Sequence, residues 1–203
     1  MTDFPDYITH YREKKFGKER MFVPGRYNEA SKQTWTPLKE SSPVDSRHIL
    51  EIAEERNCQF PEGYCTFMET LGPGLWAGMG IPQPEDTHAF DQATGAMQGF
   101  VTVACNVNGM GDYLAFNPKE GEKIYFCGHD PFGYAVAGNS FEEVITKVTE
   151  AALAEPNNGV SKFFEGLPFV EVTVDDVEVE AMSAAPKSSA AGSGSSKPWW
   201  RFW

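Results

Sequence analysis

GDYLAFNPKEGEKIYFCGHDPFGYAVAGNSFEEVI, Gly111 to Ile145, decides the fold. YLAFN, KIYFCG and YAVAG are runs of β-forming residues, and the segments between them are too short to hold a crossover helix. NPKEGEK, Asn117 to Lys123, has the composition of a hairpin loop, and HDPFG, His129 to Gly133, that of a tight corner completed by Gly133. Consecutive strands with short links pair antiparallel. Asn139 or Ser140 then opens a helix, with Ser140 and Glu143 spaced as a capping box and Phe141, Val144, Ile145, Val148 and Ala152 on one stripe.

Upstream, Asp45 or Ser46 can cap a helix that places Ile49, Leu50, Ile52 and Ala53 on one side and Glu51, Glu54 and Glu55 toward water. Pro61 suits the first position of a second helix, in which Tyr64, Phe67, Met68 and Leu71 recur at helical spacing. Gly72, Pro73 and Gly74 end it, so the two helices form a hairpin that turns an aromatic face toward a sheet. LWAGMGI and GFVTVACNV read as two more strands, joined by a loop or short helix over PEDTHAFDQATGAM. The expectation is an α+β fold: an antiparallel sheet of about five to six strands flanked by helices, with a mixed sheet as the alternative.

Residues 1–43 mix aromatics, prolines and charges without a clear period and read as an N-terminal extension that packs in part on the main domain. Residues 44–155 form that domain. In 156–182, Val172 and Val174, then Val177 and Val179, with Asp175 and Asp176 between them, fit an acidic hairpin or a bulged edge strand. Residues 183–197, SAAPKSSAAGSGSSK, are a linker by composition, and 198–203, PWWRFW, an aromatic motif.

The formal charge of -12 is unevenly spread. Residues 1–43 carry 8 Lys and Arg against 6 Asp and Glu, residues 44–155 carry 5 against 17, and residues 156–203 carry 4 against 6. An acidic surface of this kind repels phosphate backbones and steers basic proteins, so it argues against a nucleic-acid partner and for a protein one. Cys58, Cys65, Cys105 and Cys127 are widely spaced and read as free, buried thiols. No apolar run approaches the ~20 residues that cross a bilayer, and MTDFPDYITH lacks the regions of a signal peptide; the expectation is a soluble, cytoplasmic protein.

Two segments resemble the SUKH superfamily, which joins Smi/Knr-type cell-wall regulators of fungi to immunity proteins of bacterial polymorphic toxin systems. HILEIAEERNCQFPEGYCTFMETLGPG resembles that family's opening helix, its polar-Leu-Pro-x-x-Tyr junction (here Gln59, Phe60, Pro61 and Tyr64) and its second helix. The Gly111–Ile145 stretch resembles its Gly-Asp-x-x-x-Phe strand, aromatic strand, His-Asp corner and Ser-Phe-x-Glu helix start. The resemblance covers about Val44 to Leu153 and implies a binding module, without catalytic residues or cofactors, whose partner is a protein such as a basic toxin domain, often a nuclease.

Within IYFCGHDPFG, Cys127, His129 and Asp130 bring a thiol, an imidazole and a carboxylate together. Cys127 and His129 point the same way on an extended strand, which permits a thiolate–imidazole pair. The competing reading is structural: Ile124, Phe126 and Gly128 face one side, Tyr125 and Cys127 the other, and Asp130 before Pro131 opens a turn with His129 at its rim. Gly109-Met110-Gly111 lacks a dinucleotide loop's third glycine, and Gly138-Asn139-Ser140 is no nucleophile elbow. His10, His48 and His88 are scattered without metal-site spacing, and the pairs Glu54-Glu55, Glu85-Asp86 and Glu142-Glu143 read as solvated faces.

The side chains of Trp199, Trp200, Phe202 and Trp203, beside Arg201, are costly to leave in water and read as a partner-binding motif. Three receivers fit: a groove on another protein, the chain's own domain within reach of the linker, or weak contact with a membrane interface without stable insertion. Function therefore reads as protein binding, in its sharpest form toxin neutralisation. The alternatives are a scaffold recruiting a partner through the Trp-rich motif and a Cys/His-dependent enzyme.

Overall fold

The computed structural model describes residues 3–28, 33–90, 97–107 and 111–172. In chain order these form α1 (Phe4–Tyr11), β1 (Lys15–Phe16), β2 (Glu19–Arg20), β3 (Phe22–Asn28), β4 (Gln33–Pro37), α2 (Ser46–Glu55), α3 (Glu62–Thr70), β5 (Gly74–Trp76) and β6 (Met79–Ile81). A 3-10 turn at Pro84–Asp86 leads to β7 (Val101–Cys105), β8 (Tyr113–Phe116), β9 (Ile124–His129), β10 (Phe132–Gly138), α4 (Phe141–Ala154), α5 (Gly159–Glu165) and β11 (Val170–Glu171). Apart from the small β1–β2 hairpin, the strands form one nine-stranded sheet in the order β11-β10-β9-β8-β7-β6-β5-β3-β4, with every neighbouring pair antiparallel.

The α+β class is as expected, and the antiparallel option holds over the mixed one. The sheet exceeds five to six strands for identifiable reasons. Residues 1–43 contribute β3 and β4, which extend the sheet beyond β5. LWAGMGI is two strands, not one: it folds back on itself as β5 and β6 through Ala77 (φ 49°) and Gly78 (φ 86°), both left-handed, as a two-residue hairpin turn requires. β11 closes the opposite edge on β10.

The sheet has two unlike faces. One face is covered by helices, and its core takes in Trp76, Met79, Ile81, Val103, Leu114, Phe116, Ile124 and Phe126. The other carries Ala115, Tyr125 and Cys127, packed with Phe90, Met97 and Phe100 from the connection between β6 and β7. Alternation along β9 follows the sequence reading: Phe126 stacks on Phe164 of α5 at 5.0 Å, while Tyr125 and Cys127 face the second cluster. Gly133 does not complete the corner. It lies within β10 opposite Gly128, where an added Cβ would stand 2.2 Å from the Val170 carbonyl oxygen. Its missing side chain lets β11 approach.

α2 and α4 begin where the sequence places them, whereas α3 begins one residue later, at Glu62, with Pro61 as its N-cap rather than its first residue. Asp45 caps α2 by accepting a hydrogen bond from the Arg47 N–H at 2.8 Å. Ile49 and Ala53 are buried on that helix, but Leu50 is 63% exposed, because it stands about 100° around the axis from Ile49. Tyr64 of α3 is fully buried and donates its hydroxyl to the Pro82 carbonyl at 2.7 Å, tying the helix pair to the far end of β6. In α4, Phe141, Val144, Ile145, Val148 and Ala152 are wholly inaccessible. Ser140 caps it by accepting from the Glu143 N–H at 3.2 Å, while the Glu143 carboxylate returns to the Asn139 N–H at 2.7 Å, one residue earlier than in a strict capping box.

Trp76 is the largest side chain in the main core, and its indole N–H donates to the Thr149 hydroxyl at 3.0 Å. That hydroxyl donates in turn to the Ile145 carbonyl at 2.6 Å, so a buried sheet residue is satisfied by the helix that covers it. Replacing Thr149 by Val keeps the shape and leaves the indole N–H without its acceptor. A loss of about 1–3 kcal/mol in urea unfolding is expected, with Thr149→Ser recovering most of it.

Candidate protein-interaction surface

The thiol, imidazole and carboxylate of IYFCGHDPFG are separated by the fold. Cys127 is buried in the second cluster, and burial, reinforced by the nearby charge of Asp112, raises its thiol far above the ordinary range. His129 sits at the rim with its ring committed elsewhere: Nδ1 lies 2.6 Å from Asp112 Oδ1, and its backbone N–H donates to the same oxygen at 3.0 Å. The buried carboxylate of Asp112, just before β8, thus pins the end of β9. Asp130 stands exposed in the turn into β10. The group is a strand-end clamp with a turn, and no hydrogen bond joins Cys127 to His129 among the described residues. Asp112, the partner sequence reasoning missed for His129, lies 17 positions upstream on a neighbouring strand's approach.

The remaining candidates have structural employment. Ser140 caps α4. His48 meets Glu85 at 2.6 Å, a bond that raises the imidazole's pKa, and Arg56 donates to the Glu85 carbonyl at 2.7 Å, so α2 grips the 3-10 turn. The His88 ring stands edge-on to Tyr113 and Phe90, with its Nδ1 3.3 Å from the Thr102 hydroxyl. Gly109 and Met110 lie outside the described residues, as do Val174, Val177 and Val179 and the motif Trp199, Trp200, Arg201, Phe202 and Trp203.

Cys105 is buried as expected, but Cys58 and Cys65 are only partly so; burial raises all three thiols, Cys65 up to about 11, with the charges of Glu69 and Glu122 adding to the effect, and Cys105 up to about 12. In a time course with a disulfide-exchange reagent at pH 8, followed by peptide mass mapping, partly exposed Cys58 should react first. Cys105 and Cys127 should be modified only as fast as the protein unfolds.

The acidic residues gather where the helices start. Asp3 precedes α1, Glu62 opens α3, Glu142 lies in the first turn of α4, and Glu122 reaches across from the loop between β8 and β9. Pro61 offers α3 no side-chain cap, and the Glu122 carboxylate takes that role by accepting from the Glu62 N–H at 3.1 and 3.0 Å. The absent side chain of Gly63 brings the helix starts together: a Cβ there would lie 2.7 Å from Glu142 Cγ and 3.0 Å from its backbone nitrogen. The consequence is electrostatic. Burial, followed by the charges of Glu62, Asp3 and Glu122, raises the Glu142 carboxyl above its ordinary range.

One of the four carboxylates comes from the N-terminal extension and three from separate parts of the domain, and no spacing rule links them. Part of their charge is accommodated by the helix N-termini, where anions are favoured. Burial of Glu142, with the repulsion that adds to it, makes a prediction of definite sign. A carboxyl whose folded pKa is raised contributes stability at low pH that is lost as pH rises through that value. Glu142→Gln should therefore match the parent at pH 4 and exceed it at pH 7 in chemical unfolding, by about 0.3–0.5 kcal/mol after solvent screening.

No helix among the described residues is long and apolar enough to cross a membrane. The family model for SMI1/KNR4 (SUKH-1) matches residues 43–147, just over half of the chain, and the chain belongs to that family. No curated protein and no solved structure matches it.

Proposed function

We propose that the chain is a non-enzymatic protein-binding module, an immunity protein that engages a basic toxin domain and blocks it by charge and bulk. The single observation that carries this reading is the convergence of Asp3, Glu62, Glu122 and Glu142, in which Glu142 is held at an electrostatic disadvantage in the free protein. Like charges drawn together at a cost to the fold are relieved when a cationic surface covers them, so the binding partner recovers what folding gave up. Membership of the SMI1/KNR4 (SUKH-1) family supports the same reading, and so does the excess of acid over base, 17 to 5, within residues 44–155. The clamp at Cys127, His129 and Asp112 offers no ionised nucleophile, which favours binding over chemistry.

The charges dictate the mechanism. The acidic surface draws a basic partner in at long range, and the rigid starts of α1, α3 and α4 present carboxylates where a nuclease would otherwise hold phosphates. The test is to express the toxin domain encoded beside this gene and measure association in stopped flow. The rate should fall steeply between low and physiological salt. Substituting Glu62 and Glu142 by Gln, while leaving the capping Glu122 in place, should slow association about tenfold and leave the salt slope shallower. If the neighbouring toxin domain neither binds nor is neutralised in a growth assay, the reading is wrong.

A further inference from the structure

At the β11 edge, the sheet face opposite the helices keeps an apolar strip in water. Phe132, Tyr134 and Val136 alternate along β10 on that face, and Val170 of β11 lies directly opposite Tyr134. Phe132 is 37%, Val136 43% and Val170 51% exposed. Tyr134 joins the strip to the second cluster, where it packs near Tyr125 and Phe100. Three of the five large exposed hydrophobics of the described chain are therefore gathered on two adjacent strands.

We infer that this strip receives Trp199, Trp200, Phe202 and Trp203 of the same chain. The path of the chain selects that occupant. The described structure ends at Val172, whose N–H donates to the Phe132 carbonyl at 2.9 Å and whose side chain packs on the same cluster. The remaining chain thus departs from the strip itself. Residues 173–198 separate Val172 from Trp199. Any flexible chain of 26 residues has a reach of about 25–30 Å, against about 13 Å from Phe132 to Val136 along an extended strand. The aromatic motif is therefore tethered within range of the strip at millimolar effective concentration.

Size and charge agree. The exposed parts of Phe132, Val136 and Val170 amount to roughly 200 Å², far below the ~800 Å² per partner of a stable interface between separate molecules. A tethered segment needs no such area, since the tether supplies the association entropy. Asp130, exposed in the turn two positions before Phe132, adds a negative charge near the start of β10 that suits Arg201.

The test uses the full chain labelled with 15N, compared with a full-length variant carrying Trp199→Ser, Trp200→Ser and Trp203→Ser. Amide shift differences should cluster at residues 132–136 and 170–172 and stay unchanged on dilution. The emission contributed by Trp199, Trp200 and Trp203, taken as the parent spectrum minus that of the serine variant, which keeps Trp35 and buried Trp76, should be blue-shifted and several-fold less quenched by acrylamide than a free peptide of residues 198–203, and Val136→Asp should abolish that protection. Absence of shifts at the strip, shifts that fade on dilution (a second copy as the receiver), or protection that appears only with anionic phosphatidylserine vesicles would each overturn the inference. Because none of these readouts involves a toxin, their outcome is independent of the proposed function.

Discussion

Helix α4 is the constraint on which the rest of the structure depends. Its buried stripe is wholly inaccessible, and it touches α3, α5, β1 and β10. A helix so placed can be neither rotated nor shifted without exposing Phe141 or unseating the Trp76–Thr149–Ile145 chain of hydrogen bonds. Its first turn is fixed from outside as well, by Ser140 and by the Glu143 carboxylate on Asn139. With its axis and its start both set, the direction of every exposed side chain on that turn is set too. Glu142 faces Glu62 and Glu122 because α4 has nowhere else to go.

The same packing explains why the carboxylates cannot simply spread apart. Glu122 is engaged in capping α3, whose N-cap is a proline, and Glu62 donates the N–H it caps. Gly63 leaves no side chain between the helix starts. Each acid has a local reason to be where it is. Together they form an acidic patch whose charge the helix N-termini balance only in part, because Glu142 is still raised by burial and by the charges of Glu62, Asp3 and Glu122.

What the sequence made legible was local. Asp45, Ser140 and the stripe of α4 act within a few residues of themselves, and the strands from β7 to β10 announce themselves by alternation and turn composition. The unread parts depend on partners far along the chain. β3, FVPGRYN, carries a proline and a glycine and has no clean period, yet it is held as a strand by backbone pairing to β5 and β4. α5 is only seven residues and becomes a helix by stacking Phe164 on Phe126. The hairpin hidden in LWAGMGI rests on Ala77 accepting a left-handed conformation that its residue type does not advertise. Asp112 answers His129 across strands, and the four carboxylates meet only once three helices have docked.

The histidine–aspartate corner shows how a catalytic vocabulary can serve architecture. Asp112 accepts from both the ring and the backbone of His129, which orients the imidazole as a base would be oriented. A base needs a proton to remove, and the thiol beside it is buried with its ionisation suppressed. The carboxylate is instead spent on satisfying the His129 backbone N–H at the end of β9, three positions before the chain returns as β10. That closure sets Phe132, paired with His129, at the head of the apolar strip on the strand that β11 joins. The corner's chemistry therefore reaches outward: it builds the sheet edge from which the rest of the chain departs, on the face opposite the helices whose first turns carry the acids.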